Sequence, residues 1–317
     1  MSKDGDIAYS EIFLSIQGEG YYTGRVTSWL RYTTCNMACS GFLQNDPTDP
    51  STYELPYDDF DVSTVDKIED LPVWRYGCDS SYTWAKRFKH LWYRDTAEDI
   101  ATKIQDVMKT EHNPEGTFRN AHSGEESHMC FTGGEPMLKL NQKATLDILE
   151  AFRFQKGGPI KVEDKVFAKA SNMPEFITFE TNGTQALTPE FVEFFSNRGK
   201  YAGELFWSVS PKLFTVSGEK RSKAIKPDIV KSYQDLSPHG QLKFVVGNED
   251  RQWDELEATV VAFREAGVNF PVWIMPVSAT KEDQLDGAGE VATRALKRGY
   301  NVSARVHAYL WSNVLGV

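Results

Sequence analysis

Short apolar runs alternate with amphipathic stretches along most of the chain, and their spacing predicts alternating strands and helices. Strands are expected over Val26 to Tyr32, His128 to Thr132, Phe176 to Thr181, Leu205 to Ser210, Leu242 to Val246, Pro271 to Pro276 and Val302 to Tyr309. Thr96 with Asp99 forms a capping-box pattern ahead of Ile100, Ile104, Val107 and Met108 at helical spacing. Thr188, Pro189 and Gly199 frame a second helix carrying Phe191, Phe194 and Phe195. Two more fit Arg251 to Ala266, stopped by Gly267, and Glu290 to Arg298, stopped by Gly299. The alternation implies an α/β fold: a parallel sheet with helices outside, open or closed into a barrel. No internal repeat is present.

Two stretches break the pattern. Ser40 to Gly77 holds nine acids, two bases and four prolines without periodicity. Its charges read as a solvated excursion within the domain. Glu111 to Ser127 is a second polar loop. The first stretch carries most of the chain's formal charge of −10. An acidic surface argues against nucleic acid as a partner. No apolar run approaches the ~20 residues of a membrane helix, and the opening Met1-Ser-Lys-Asp-Gly-Asp is no signal peptide, so a cytoplasmic protein is expected.

In such a protein four cysteines are buried thiols, nucleophiles or metal ligands rather than a disulfide scaffold. Cys35 and Cys39 follow the first predicted parallel strand, at the strand end where parallel α/β folds place their chemistry. Alone they could serve zinc, an iron–sulfur cluster or nothing. Cys78 lies in Gly77-Cys78-Asp79-Ser80-Ser81-Tyr82-Thr83-Trp84, and Cys130 lies inside an apolar strand, where packing is its plainest role.

The remaining motifs are Thr132-Gly133-Gly134-Glu135-Pro136, Glu180-Thr181-Asn182-Gly183, Ser210-Pro211-Lys212 and Glu11-Ile12-Phe13-Leu14-Ser15-Ile16-Gln17-Gly18-Glu19-Gly20. Together they resemble the 7-carboxy-7-deazaguanine synthases, radical S-adenosylmethionine enzymes of the deazapurine (queuosine) pathway. The similarity runs from Glu11 to about Lys243 and more faintly to Leu310. It implies one domain over 1–317, a partial, open TIM-like barrel, with 40–77 as an acidic insertion in the cluster-binding loop.

The resemblance also implies a [4Fe–4S] cluster on Cys35, Cys39 and Cys78, with one iron left open for S-adenosylmethionine. The family's short C-x3-C-x2-C spacing is broken here, since position 42 is Phe42. Cys78 is favoured over Cys130 as third ligand because the residues after it match the family's. Gly133, Gly134, Glu135, Glu180 and Ser210 are the implied cofactor-binding residues, with Glu180 suited to a ribose diol. Gln17, Glu19, Arg31 and Thr132 are the implied substrate residues, Arg31 through a fork to a carboxylate. Ser80 stands where the family has a threonine that holds Mg²⁺, and keeps the oxygen. His307 matches a family histidine and Arg25 is a weaker substrate candidate.

The expected reaction is conversion of 6-carboxy-5,6,7,8-tetrahydropterin to 7-carboxy-7-deazaguanine with loss of ammonia. A flavodoxin- or ferredoxin-like reductant and a homodimer are expected from the family. Competing readings are another radical enzyme of the superfamily, such as a glycyl-radical activase, and a non-catalytic protein with structural zinc.

Overall fold

The computed structural model describes residues 6–162, 165–168, 171–196, 201–311 and 315. Eleven strands follow in chain order: β1 (Ile7–Ile16), β2 (Val26–Tyr32), β3 (Tyr93–Asp95), β4 (His128–Gly133), β5 (Pro159–Val162), β6 (Lys165–Ala168), β7 (Phe176–Thr181), β8 (Glu204–Val209), β9 (Gly240–Val246), β10 (Val272–Pro276) and β11 (Asn301–Val302). Nine of them form one sheet in the order β11-β10-β9-β8-β7-β4-β2-β1-β3, while β5 and β6 make a separate hairpin. From β2 to β11 the ladder is parallel throughout. Only β1 runs antiparallel to its neighbours β2 and β3.

Alternation along these strands separates two environments. Leu30, Tyr32, Met129, Phe131, Ile177, Phe179, Leu205, Trp207, Leu242 and Phe244 point toward the helices and form the main core. An aromatic row crosses this face, with ring centroids 6.1 Å apart for Tyr32 and Phe131, 5.2 Å for Phe131 and Phe179 and 5.4 Å for Phe179 and Trp207. The intervening positions Arg31, Thr132, Glu180, Ser208 and Lys243 point the other way, into one cavity. The sheet therefore curves around a polar interior. Because β3 and β11 are sheet ends rather than partners, the barrel is open. Across that seam, Gly20 N donates to Ser303 Oγ at 2.7 Å and Val306 N to Gly18 O at 2.9 Å.

The predicted parallel strands are present, with one correction. Of the last predicted element, Val302 to Tyr309, only Val302 is strand, at the end of Asn301–Val302, and Val306–Trp311 is helical. A sheet-end strand has one neighbour to pair with, and the chain leaves it after two residues to cross the seam. The helix predicted from Glu290 begins at Lys281, where Thr280 and Asp283 form a reciprocal capping box. Thr96 and Thr188 cap their helices as expected, accepting from Asp99 N and Phe191 N. The second ends at Phe195, and Gly199 lies outside the described residues.

Eight of the nine acids in 40–77 are exposed, Asp46 being half-buried. The apolar residues of that segment, however, build a second core. Tyr57, Ile68, Leu71 and Trp74 pack with Tyr82, Phe88 and Leu91 from the residues that follow Cys78. Gly77 N donates to Phe42 O at 2.9 Å, which brings the two ends of the excursion together. Among the described residues no helix is long and apolar enough to cross a membrane.

Candidate active site

The cavity encloses about 300 Å³ at the C-terminal ends of the parallel strands. That is the lower end of the range for small-molecule sites. Its rim is the loop that leaves β2. Thr34, Cys39 and Leu43 are the non-glycine residues with positive φ among those described, at 73°, 51° and 58°, and all three belong to this loop. Backbone in that region is uncommon for residues bearing a Cβ, and it is tolerated where surrounding contacts hold it. Here the holding group is Glu219, whose Oε1 accepts from Ala38 N at 2.7 Å and Cys39 N at 3.0 Å.

Cys35, Cys39 and Cys78 all line the cavity, whereas Cys130 lies fully buried within β4. Burial pushes the Cys35 thiol up to about 12 and the Cys78 thiol up to about 11, and Cys39 is also raised by burial. Each of the three feels Lys212 as a lowering charge, and Cys35 and Cys39 also feel at least one other cysteine as a raising one. For Cys78 the neighbouring Asp79 is the raising charge. Three thiolates so desolvated need a bound cation, which is what a metal centre provides. Among the described residues, no three His, Cys, Asp or Glu side chains are gathered as the ligand set of a single ion. A cluster takes one cysteine per iron, so its ligands stand around a volume rather than a point. Thiolates lining one cavity are soft donors of the kind an iron–sulfur cluster takes.

Gly133 and Gly134 line the cavity as expected, but the protein itself dictates glycine at both. Gly133 has φ +106°, and a Cβ there would strike Tyr32 O. A Cβ on Gly134 would strike Thr34 O. The two turns are laced by Gly134 N to Tyr32 O and Glu135 N to Thr34 O, both 2.9 Å. The Glu135 side chain braces the same turn. Its carboxylate is buried and accepts from Thr181 Oγ1 at 2.6 Å, Asn182 N at 2.8 Å and Met137 N at 2.9 Å. With those contacts it ties the β4 turn to the β7 turn, and its side chain does not line the cavity.

The other expected residues come together. Gln17, Glu19, Arg31, Thr132, Glu180, Ser80 and Ser210 all line the cavity. Gln17 Nε2 donates to Glu180 Oε1 at 3.2 Å and Thr132 Oγ1 to Glu180 Oε2 at 3.5 Å. Ser80 Oγ donates to Asp79 Oδ1 at 3.1 Å, and Ser210 Oγ is 3.0 Å from Lys212 Nζ. His307 lines the cavity against Gly18, where a Cβ would strike its imidazole. Its pKa is lowered to about 4 by burial and then by Arg305. Arg25 lies outside the cavity, 3.9 Å from Glu125.

Two cations escaped the sequence reading. Lys243, on β9, pairs with Glu19 and lies 3.7 Å from Glu180. Arg305 donates from Nε to Glu19 Oε1 at 3.1 Å and from Nη2 to Asp79 Oδ2 at 2.9 Å. Burial would raise the Glu19 carboxyl, but Lys243 and Arg305 overcome it and hold the acid well below its usual range. Glu19 is thus a fixed anion. One signal was available for Lys243: a lysine inside Gln-Leu-Lys-Phe-Val-Val is a buried charge in an otherwise apolar strand.

No family model matches the chain. Over its full length it is 22% identical to a 7-carboxy-7-deazaguanine synthase of Pyrobaculum aerophilum, also covered in full. It is 23% identical to a 7-carboxy-7-deazaguanine synthase of Halobacterium salinarum, across 98% of this chain and 94% of that one. The crystal structure of QueE from Escherichia coli matches 95% of each chain with a TM-score of 0.48 and 17% identity. The two sequence similarities span nearly all of the chain.

Proposed function

We propose that this chain is a 7-carboxy-7-deazaguanine synthase, a lyase of 7-deazapurine biosynthesis acting on 6-carboxy-5,6,7,8-tetrahydropterin with loss of ammonia. The observation that carries the reading is convergence. Three cysteines from two sides of a long insertion, the glycine turn, Glu180, and the Gln17, Glu19 and Arg31 set all face one cavity.

In this reading Cys35, Cys39 and Cys78 hold a [4Fe–4S] cluster beside S-adenosylmethionine. The chemistry such a pair supplies is one-electron, radical chemistry, and the protein's part is binding, orientation and exclusion of water. Glu180 accepts the two hydroxyls of a ribose and is braced by Gln17 and Thr132. Gly133, Gly134 and Ser210 shape the wall beside it. Glu19, kept anionic by Lys243 and Arg305, accepts N–H donors from the aminopyrimidine edge. Arg31 binds the carboxylate, and the ligand's flat ring lies along Phe13 and Trp29, whose rings are stacked with centroids 5.8 Å apart. Ser80 and Asp79 supply the hard oxygen donors that suit Mg²⁺. A flavodoxin- or ferredoxin-like reductant, a homodimeric assembly and a cytoplasmic location belong to the same proposal.

Anaerobic reconstitution with iron and sulfide tests it. The reading requires about four irons per chain and reductive cleavage of S-adenosylmethionine; stoichiometric zinc without cleavage would contradict it.

A further inference from the structure

The pairing of Glu11 with Arg31 is built in an unusual way. On β1, Tyr9 lies opposite Tyr32, yet Glu11 lies opposite Arg31, so Ser10 is an extra residue in the ladder. Had the register run on from Tyr9, Glu11 would stand opposite Leu30, on the face that packs against the helices. The bulge moves Glu11 to the cavity side, which is how bulges beside functional sites re-aim a side chain. Ser10 Oγ donates to Arg31 O at 3.1 Å and braces the irregularity.

Once re-aimed, Glu11 does not use the strongest geometry open to it. A carboxylate facing an arginine end-on forms two parallel bonds and satisfies both oxygens. Here Arg31 Nε donates to Glu11 Oε2 at 2.7 Å, and Tyr82 Oη donates to that same oxygen at 2.8 Å. Glu11 Oε1 is buried with no hydrogen-bond partner among the described residues. A bare buried carboxylate oxygen is costly, and a side chain selected only for stability would have rotated to fill it. What the side-on pairing achieves is to leave the terminal nitrogens of Arg31 uncommitted to Glu11. Arg31 itself lines the cavity, as do Tyr82 and Phe13, and its guanidinium lies 5.8 Å above the Phe13 ring.

We propose that Glu11, re-aimed by the Ser10 bulge and anchored by Tyr82, is a positioning residue that holds Arg31 by its inner nitrogen so that the outer edge of the guanidinium is presented to a ligand carboxylate. Tyr82 belongs to the segment that follows Cys78, so the anchor also couples this pocket to the cluster loop. The inference rests on the function proposed above and assigns a role to residues that do not themselves touch the ligand.

The test compares two probes on the reconstituted, S-adenosylmethionine-loaded protein without reductant, so that binding is read without turnover. The probes are 6-carboxy-5,6,7,8-tetrahydropterin and its 6-carboxamide. Glu11→Gln should weaken the carboxylate at least about tenfold while weakening the carboxamide less than about threefold, because the charge-assisted fork alone is disturbed. Tyr82→Phe, which retains the ring and its packing, should show the same selectivity at about threefold on the carboxylate and keeps the test open if Glu11→Gln folds poorly. Equal losses on both probes would make Glu11 a merely structural residue and overturn the inference, as would no loss on either. Wild-type protein that binds neither pterin would instead overturn the functional reading on which it rests.

Discussion

Arg305 Nη2 meets Asp79 Oδ2 at 2.9 Å across 226 positions of sequence, joining the C-terminal segment to the residue that follows Cys78. The same guanidinium reaches Glu19 through Nε and Ser278 O through Nη1 at 2.8 Å. One side chain thus holds together the β1–β2 turn, the segment after the insertion and the loop after β10.

Removing that staple leaves Glu19 buried with Lys243 as its remaining ion-pair partner. The Asp79 arm is half-exposed and contributes little, so most of the loss comes from the Glu19 arm. Arg305→Ala should lower unfolding free energy by about 3 kcal/mol, in line with breaking a buried pair on one side. Arg305→Lys should recover only part, because an ammonium cannot fork to two acids and a carbonyl. Urea midpoints at constant slope measure both; an unchanged midpoint in Arg305→Ala would show that the staple carries no stability.

The cysteines give a second prediction. Cys35→Ala, Cys39→Ala and Cys78→Ala should each lose the iron bound on reconstitution, since an iron deprived of its thiolate finds no replacement in this loop. Cys130→Ala should keep it. Iron per chain decides the matter, and retention in Cys78→Ala with loss in Cys130→Ala would reverse the ligand assignment.

Much of this architecture was readable in advance, and what was not has physical reasons. The strands β2, β4 and β7 to β10 are apolar runs whose ends carry Gly, Asn or Pro, a local signal. The helix Lys139–Phe154 has Leu138 before its first residue, which offers no side-chain cap, so its start left no mark. Gly287 and Gly289 made Lys281–Lys297 look shorter than it is. The motif residues were found because each sits at a strand end. Lys243 and Arg305 were missed because their meaning depends on Glu19, 224 and 286 positions away. The direction of the Glu135 side chain was not legible, because a motif shows that a residue matters and not which way it points.

Gly134→Ala should damage the cluster loop rather than the cavity wall. The added methyl meets Thr34 O, backbone that cannot swing aside. Overpacking of this kind costs about 1–3 kcal/mol, and the displaced Thr34–Cys35 turn should forfeit most of the iron. Full iron occupancy in Gly134→Ala would refute that coupling.

Acid should destabilise the fold before its carboxylates titrate. His128 and His307 both have their pKa lowered from 6.5 to about 4, chiefly by burial. Unfolded chain takes up these protons near pH 6.5 and folded chain only near pH 4, so stability is complete above that window and is lost as pH falls through it. His128 stacks on Phe176 with centroids 4.8 Å apart, and its Nε2 has no hydrogen-bond partner among the described residues. His128→Phe should preserve the stack and flatten the pH 6.5-to-4 slope by about one proton; an unaltered slope would mean that His128 protonates freely in the fold.

The proposed function has this cavity rearrange a carboxylated tetrahydropterin. Reconstituted, reduced protein incubated anaerobically with S-adenosylmethionine and 6-carboxy-5,6,7,8-tetrahydropterin tests it most directly, read by mass and ultraviolet absorbance. The expected products are 7-carboxy-7-deazaguanine and ammonia, and Cys78→Ala should yield neither. Efficient S-adenosylmethionine cleavage that leaves the pterin unchanged would contradict the proposed function.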